Sequence, residues 1–200
     1  MGFCPLDNIT DLIQRMRRGE TLALGRLVNV VESGGGQVPL VMKEIHAYTG
    51  HALRIGITGP PGIGKSTLAD RLTHQLRKHD LSVGVIAVDP TSPFSGGAIL
   101  GDRVRMQRHY LDRGVFIRSM ATRGNLGGLP RAVGEVTNVI DASGKDYILI
   151  ETVGVGQTEL NVVKNVDTVL VVLAPGYGDN IQMMKAGLME IADILSLIHI

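Results

Sequence analysis

A chain of 200 residues is long enough to bury one complete α/β core and too short for a large multidomain assembly. Lys and Arg number 20 against 19 Asp and Glu, a formal charge of +1, which offers no broad electrostatic footprint for nucleic acid or an anionic membrane. The single cysteine, Cys4, excludes an internal disulfide and a thiolate zinc site, and suits a reducing compartment.

The opening residues, MGFCPLDNITDLIQRMRRGE, place Asp7 and Asp11 early and hold no apolar stretch long enough for a signal peptide or a membrane span. Leu6 stands where the myristoylation pattern requires Ser or Thr. The expectation is a soluble, cytoplasmic protein with no membrane and no nucleic-acid partner. Ile9, Leu12, Ile13 and Met16 fall at helical spacing, as do Leu24, Leu27, Val28 and Val31. The glycine run at 34–36 breaks that pattern, and a third short helix is predicted from Gln37 to Tyr48, stopped by Thr49 and Gly50. Residues 1–50 thus read as an N-terminal helical arm and 51–200 as an α/β domain.

From Leu53 onward, short β-branched runs alternate with amphipathic stretches, the pattern of βαβ units around a parallel sheet flanked by helices. Strands are predicted near 53–58, 82–88, 115–119, 146–150 and 167–173, with a last one beginning at Asp193. The continuous apolar character of 146–150 and 167–173 suits strands covered on both faces. Leu129, Ala132, Val133, Val136, Val139 and Ile140 lie at helical spacing with Gly144 behind them, and Ile181, Met184, Leu188 and Ile191 repeat the spacing.

The stretch LRIGITGPPGIGKSTLADRL carries GxxxxGK[ST] between a predicted strand and a helix with Leu68, Leu72 and Leu76 on one face, the context a phosphate-binding P-loop requires. Glycines let the backbone wrap so that successive N–H groups converge on phosphate oxygens, and the helix N-terminus adds a favourable partial charge. The cradle is Gly59, Gly62, Ile63, Gly64, Lys65, Ser66 and Thr67. Lys65 is expected to neutralise the β- and γ-phosphates, and Ser66 to give Mg²⁺ a hydroxyl ligand.

Ligands of open α/β sheets sit outside the carboxyl ends of the strands. Asp89 and Glu151 each follow such a strand, and both are candidates to face the metal. Either one alone reads equally well as a cap or a solvated turn residue; together, downstream of a P-loop, they favour the metal. Glu151 stands where NTPases usually keep an Asp, and Gly154 offers an N–H for the γ-phosphate. Two polar, glycine-rich stretches, PTSPFSGGAILGD (90–102) and Gly154 to Gln157, have the composition of switch loops, and Asp102 is a further Mg²⁺ candidate from the first. Arg103, Arg105 and Arg108 read as surface or partner contacts before they read as a transition-state arginine. The six histidines form no zinc pattern.

The blocks GITGPPGIGKSTL, AVDPTSPFSGGAILGDRVRM, ATRGNLGGLPRA and ILIETVGVGQTE resemble the methylmalonyl-CoA-mutase-associated GTPases, a branch of P-loop GTPases close to the metallochaperone GTPases. The resemblance spans about residues 20–195. It implies a GTPase that protects and reloads an adenosylcobalamin-dependent acyl-CoA mutase, with GTP or GDP and Mg²⁺ as cofactors. It assigns Lys65, Asp102 and Glu151 to catalysis, and Ser66, Asp89, Asp102 and Glu151 to the metal. It also places Gly154 and Gln157 in a second switch, and puts 176–187, with Asp179 and Lys185, in a third switch that meets the mutase. The family's Asn-Lys-x-Asp guanine-reading segment and its C-terminal helical extension, which serves homodimerisation, are not in this sequence. The expectation is a domain lacking its C-terminal part, with a correspondingly smaller sheet and marginal stability. Competing functions are a metal-insertion GTPase chaperone, a P-loop small-molecule kinase, and a partner-binding fragment without hydrolysis.

Overall fold

The computed structural model describes residues 8–89, 106–121, 129–152, 165–174 and 190–198. Three helices come first: α1 (Ile9–Arg17), α2 (Thr21–Ser33) and α3 (Val38–Ile45), the last running into a 3-10 turn, His46–Tyr48. Asn8 starts α1, its side chain accepting from the Thr10 N–H, with Asp11 in the first turn and Arg15 and Arg17 in the last. That charge order complements the helix dipole. Gly34, at φ +70°, ends α2 in the left-handed conformation, which only glycine adopts without strain.

The sheet follows: β1 (Leu53–Thr58), α4 (Lys65–Lys78), β2 (Val83–Asp89), β3 (Val115–Ala121), α5 (Leu129–Ala142), β4 (Tyr147–Glu151), β5 (Thr168–Leu173) and β6 (Ile194–Leu197). A second 3-10 turn, Gln107–His109, precedes β3. The strand order is β3-β2-β4-β1-β5-β6, and every pairing is parallel. Each strand predicted from the sequence is present within two residues of its expected bounds. The last begins at Ile194 because Asp193 is engaged as a cap, its carboxylate accepting from the Val169 N–H at 2.7 Å. β6 forms an edge of the sheet with Ile194, Leu195 and Leu197 exposed. The predicted helix around Ile181, Met184 and Leu188 lies outside the described residues.

Period-two alternation explains the two cores. In β4, Ile148 and Ile150 face one way and Leu149 the other; in β2, Ile86 and Val88 oppose Val83 and Val85. The first face is closed by α1, α2, α3 and α5, with Leu27, Val28, Val41, Val133 and Val136 fully buried. The second is closed by α4 and by Ile63 of the loop before it. The N-terminal helices therefore complete a layer of the α/β core, α2 lying along α5. Removing them would uncover that face.

The joint between the helices and the sheet is polar. The side chain of Asp141, at the end of α5, is fully buried. Its Oδ2 accepts from the Gly50 N–H and Arg54 Nη2, each at 2.7 Å, and its Oδ1 from the His51 and Ala52 N–H groups at 3.2 and 3.0 Å. Burial on its own would raise the pKa of this carboxyl, but the Arg54 guanidinium and the three amides hold it below the usual carboxylate range. One side chain thus satisfies three amides of the turn into β1, the Ala52 N–H among them being buried.

Candidate functional site

β1 runs up the middle of the sheet between β4 and β5. The six-residue loop from Gly59 to Gly64 then carries the chain into α4 at the carboxyl edge. Gly59, Gly62 and Gly64 have φ of +141°, +77° and +100°, so the loop's turns use conformations that side-chain-bearing residues avoid. At Gly59 space is limiting as well, because a Cβ there would lie 2.3 Å from the Val172 carbonyl oxygen on β5. Ile63, 1% exposed, anchors the loop in the α4-side core. Gly64 caps α4 without any side chain, leaving the positive end of the helix dipole to the hollow of the loop.

Lys65 and Ser66, the first two residues of α4, are 6% and 8% exposed. Lys65 Nζ donates to the Gly59 and Pro60 carbonyls at 2.8 and 2.9 Å, so the ammonium arches back over the loop. Ser66 Oγ donates to Glu151 Oε1 at 2.6 Å. Glu151, 8% exposed, is the last residue of β4 and pairs in register with Ile57 of β1. The site therefore brings an ammonium, a hydroxyl and a carboxylate together at one helix N-terminus. Neutral carbonyls are weaker acceptors for an ammonium than phosphate oxygens, and Lys65 can exchange the first for the second.

Of the residues predicted from the sequence, Gly59, Gly62, Ile63, Gly64, Lys65, Ser66 and Thr67 lie in the loop and the first turn of α4, with Thr67 exposed. Glu151 meets Ser66 directly. Asp89 ends β2, two positions beyond Ala87, the register partner of Glu151. Its backbone thus lies on the same edge of the sheet; its side chain is outside the described residues. Asp102, Gly154, Gln157, Arg103, Arg105 and the 176–187 stretch with Asp179 and Lys185 also lie outside them. Ser66 Oγ and Glu151 Oε1 are hard oxygen donors of the kind Mg²⁺ takes, with the remaining positions left to phosphate and water, so the residues present fit that ion.

These observations fix a phosphate-binding loop, and comparison with known proteins decides its family. A family profile described as methylmalonyl Co-A mutase-associated GTPase MeaB matches residues 24–198. The chain belongs to that family. It is 58% identical over 186 residues to a Pyrococcus abyssi protein named as a GTPase, covering 93% of this chain and 57% of that one. To the GTPase ArgK of Escherichia coli it is 39% identical over 191 residues, covering 94% and 58%. It thus spans under three-fifths of the length of these relatives. A crystal structure titled LAO/AO transport system kinase superposes with a TM-score of 0.68 at 26% identity, over 98% of this chain and 70% of that one.

Two features of this MeaB-family site were not legible in its motif. Thr152 donates its N–H to the Ile57 carbonyl at 3.0 Å, and its Oγ1 is 3.0 Å from Thr58 Oγ1. The residue after Glu151 is thereby tied to the last residue before the loop. One turn past Ser66, the buried carboxylate of Asp70 receives Arg108, with Nε at 2.8 Å from Oδ1 and Nη2 on Oδ2. Arg108, 39% exposed, is a surface arginine as expected, and it is also an ion-pair partner of α4. His109 Nε2 lies 3.1 Å from Asp70 Oδ1 without the angle of a hydrogen bond. Burial pushes the pKa of His109 below its usual value, and Arg108 adds to that effect. No group of three or more His, Cys, Asp or Glu that could hold a metal occurs among the described residues, nor is any helix there long and apolar enough to cross a membrane.

Proposed function

We propose that this chain is the nucleotide-binding part of a Mg²⁺-dependent GTPase chaperone that assists assembly, protection and reactivation of an adenosylcobalamin-dependent methylmalonyl-CoA mutase. The observation that carries the chemistry is the convergence of Lys65, Ser66 and Glu151 at the N-terminus of α4. The preference for GTP and the mutase partner rest on the family's name.

In this reading the loop amides and the α4 dipole receive the phosphates, while Lys65 leaves the Gly59 and Pro60 carbonyls for β- and γ-phosphate oxygens. Ser66 and Glu151 would hold Mg²⁺, which would supply positive charge beside the phosphates. Water attacks the γ-phosphorus and GDP leaves, with Lys65 and the amides stabilising the charge that builds on the transferred group. Asp89 and Asp102 would add ligands to that metal, and Gly154 an N–H to the γ-phosphate. Residues 1–50 support the sheet, and 51–200 hold the nucleotide.

The test is phosphate release from GTP by the chain, with and without a cobalamin-dependent mutase, beside a Lys65→Ala control. GDP and inorganic phosphate in equal amounts, lost in the control, support hydrolysis. A phosphorylated small-molecule product would make the protein a kinase, and tight binding of Ni²⁺ or Zn²⁺ a metal-insertion chaperone; either would overturn the proposal.

A further inference from the structure

The segment that leads into β3 is fastened to α4 by two ion pairs of opposite polarity. α4 supplies Asp70 and Arg77, and the segment answers with Arg108 and Asp112. Arg108 donates from Nε to Asp70 Oδ1 at 2.8 Å and from Nη2 to Oδ2, a two-pronged fit that fixes orientation as well as distance. Arg77 Nε donates to Asp112 Oδ2 at 2.9 Å. Just upstream, Met106 is 3% exposed in the α4-side core, and its carbonyl accepts from the His109 N–H at 3.0 Å.

The two pairs differ in what they stand near. At 1.5 Å per residue, Asp70 lies about 6 Å along the helix from Ser66, and Arg77 about 16 Å. Ser66 and Asp70 are four residues apart, on one face of α4, and both are buried. A carboxylate is costly to bury, yet this one is given to Arg108, since His109 Nε2 at 3.1 Å makes no hydrogen bond with it. In the sequence, Asp102 precedes Met106 by four residues, a span of at most about 14 Å. Fixing Met106 and Arg108 on α4 therefore bounds how far Asp102 can stand from Ser66.

We propose that Asp70 and Arg108 are positioning residues for Mg²⁺: their pair holds the segment next to Asp102 at a set place on the helix that carries Ser66, so that both side chains reach one ion. This rests on the reading of Ser66 and Asp102 as Mg²⁺ ligands. Neither Asp70 nor Arg108 touches the nucleotide. Phosphate is received by Lys65 and the loop amides whether or not the pair is made, and the metal is not. The Arg77–Asp112 pair, farther down α4, serves the fold.

The experiment titrates Mg²⁺ into the 200-residue chain with fluorescent GTP, and measures binding of fluorescent GDP in EDTA beside it. In Arg108→Met, and in Asp70→Asn, which leaves no buried charge behind, the Mg²⁺ concentration for half-maximal binding should rise about tenfold, while metal-free GDP affinity stays within about twofold. Arg108→Lys, which offers a point charge without the fork, should recover part of the loss. Asp112→Asn should lower the urea midpoint and leave the Mg²⁺ dependence in place. A dependence unmoved in Arg108→Met, or moved as far by Asp112→Asn, would overturn the proposal, as would an equal loss of metal-free GDP affinity. A wild-type chain whose GTP binding ignores Mg²⁺ would instead bring down the assigned function, and this inference with it.

Discussion

Two buried carboxylates sit at opposite edges of the same sheet and are used differently. Asp141 accepts from three backbone amides and one guanidinium, donors that folding itself places, with Asn138 Oδ1 sharing the guanidinium at 3.0 Å. Glu151 accepts from the Ser66 hydroxyl, beside an ammonium resting on carbonyls and an uncapped helix start. The first is charge committed to holding a joint. The second is charge held in partnerships that a phosphate and a metal can replace, and it lies at the edge proposed above to hold the nucleotide.

The largest break in this comparison should come at the joint. Asp141→Ala takes the acceptor from three amides of a half-buried turn and leaves Arg54 with Asn138 Oδ1 at 3.0 Å, a loss of about 3 kcal/mol, the low end for breaking a buried pair. Urea unfolding should show that loss, with triphosphate affinity unchanged in whatever fraction remains folded. Lys65→Ala should give the reverse: affinity for Mg²⁺-GTP falls by on the order of 100-fold in a fluorescent-nucleotide titration, while the urea midpoint hardly moves. Smaller again is Glu151→Gln, which keeps a hydrogen-bond acceptor for Ser66 but removes the charge. The Mg²⁺ concentration needed for half-maximal binding should rise about tenfold.

The fold was readable because its signals are local. The continuous apolar run in 146–150 and the helical spacing of Leu129 to Ile140 require no knowledge of distant residues, and both elements are present. The loop was readable for the same reason: Gly59, Gly64, Lys65 and Ser66 are contiguous, and their chemistry is specific to phosphate. Glu151 could be found because a carboxylate just beyond a buried strand has few places to go.

Asp141 could not be found. It stands in an ordinary helix end, and its donors lie about ninety residues upstream. The ion pair of Arg108 could not be foreseen either, because an arginine beside a loop gives no local sign that Asp70, 38 residues before it, is buried and aimed at it. Helices α1 to α3 looked like an arm because their stripes name no partner, whereas the partner is α5.

The smallest effect sharpens the comparison by pH. The folded-state pKa of Asp141 is depressed, so its contribution is present above the unfolded carboxyl value and is lost as pH falls through about 4 toward the folded value. Stability measured from pH 6 to pH 3 should decline. In Asp141→Asn the decline should be shallower, the remainder coming from Asp112 and Asp146, whose pKa values are also lowered, by Arg77 and by Ser82 respectively.

The central claim is that the edge carrying Lys65, Ser66 and Glu151 binds a nucleoside triphosphate in the native chain. Its most direct test is the unfolding free energy of the 200-residue protein with and without Mg²⁺-GTP, since a ligand that binds only the folded state stabilises it by about 2.7 kcal/mol at one hundred times its dissociation constant. A rise of that kind in the wild-type chain, flattened by Lys65→Ala, is the predicted result. No change at millimolar nucleotide, in a chain that unfolds cooperatively, would contradict it.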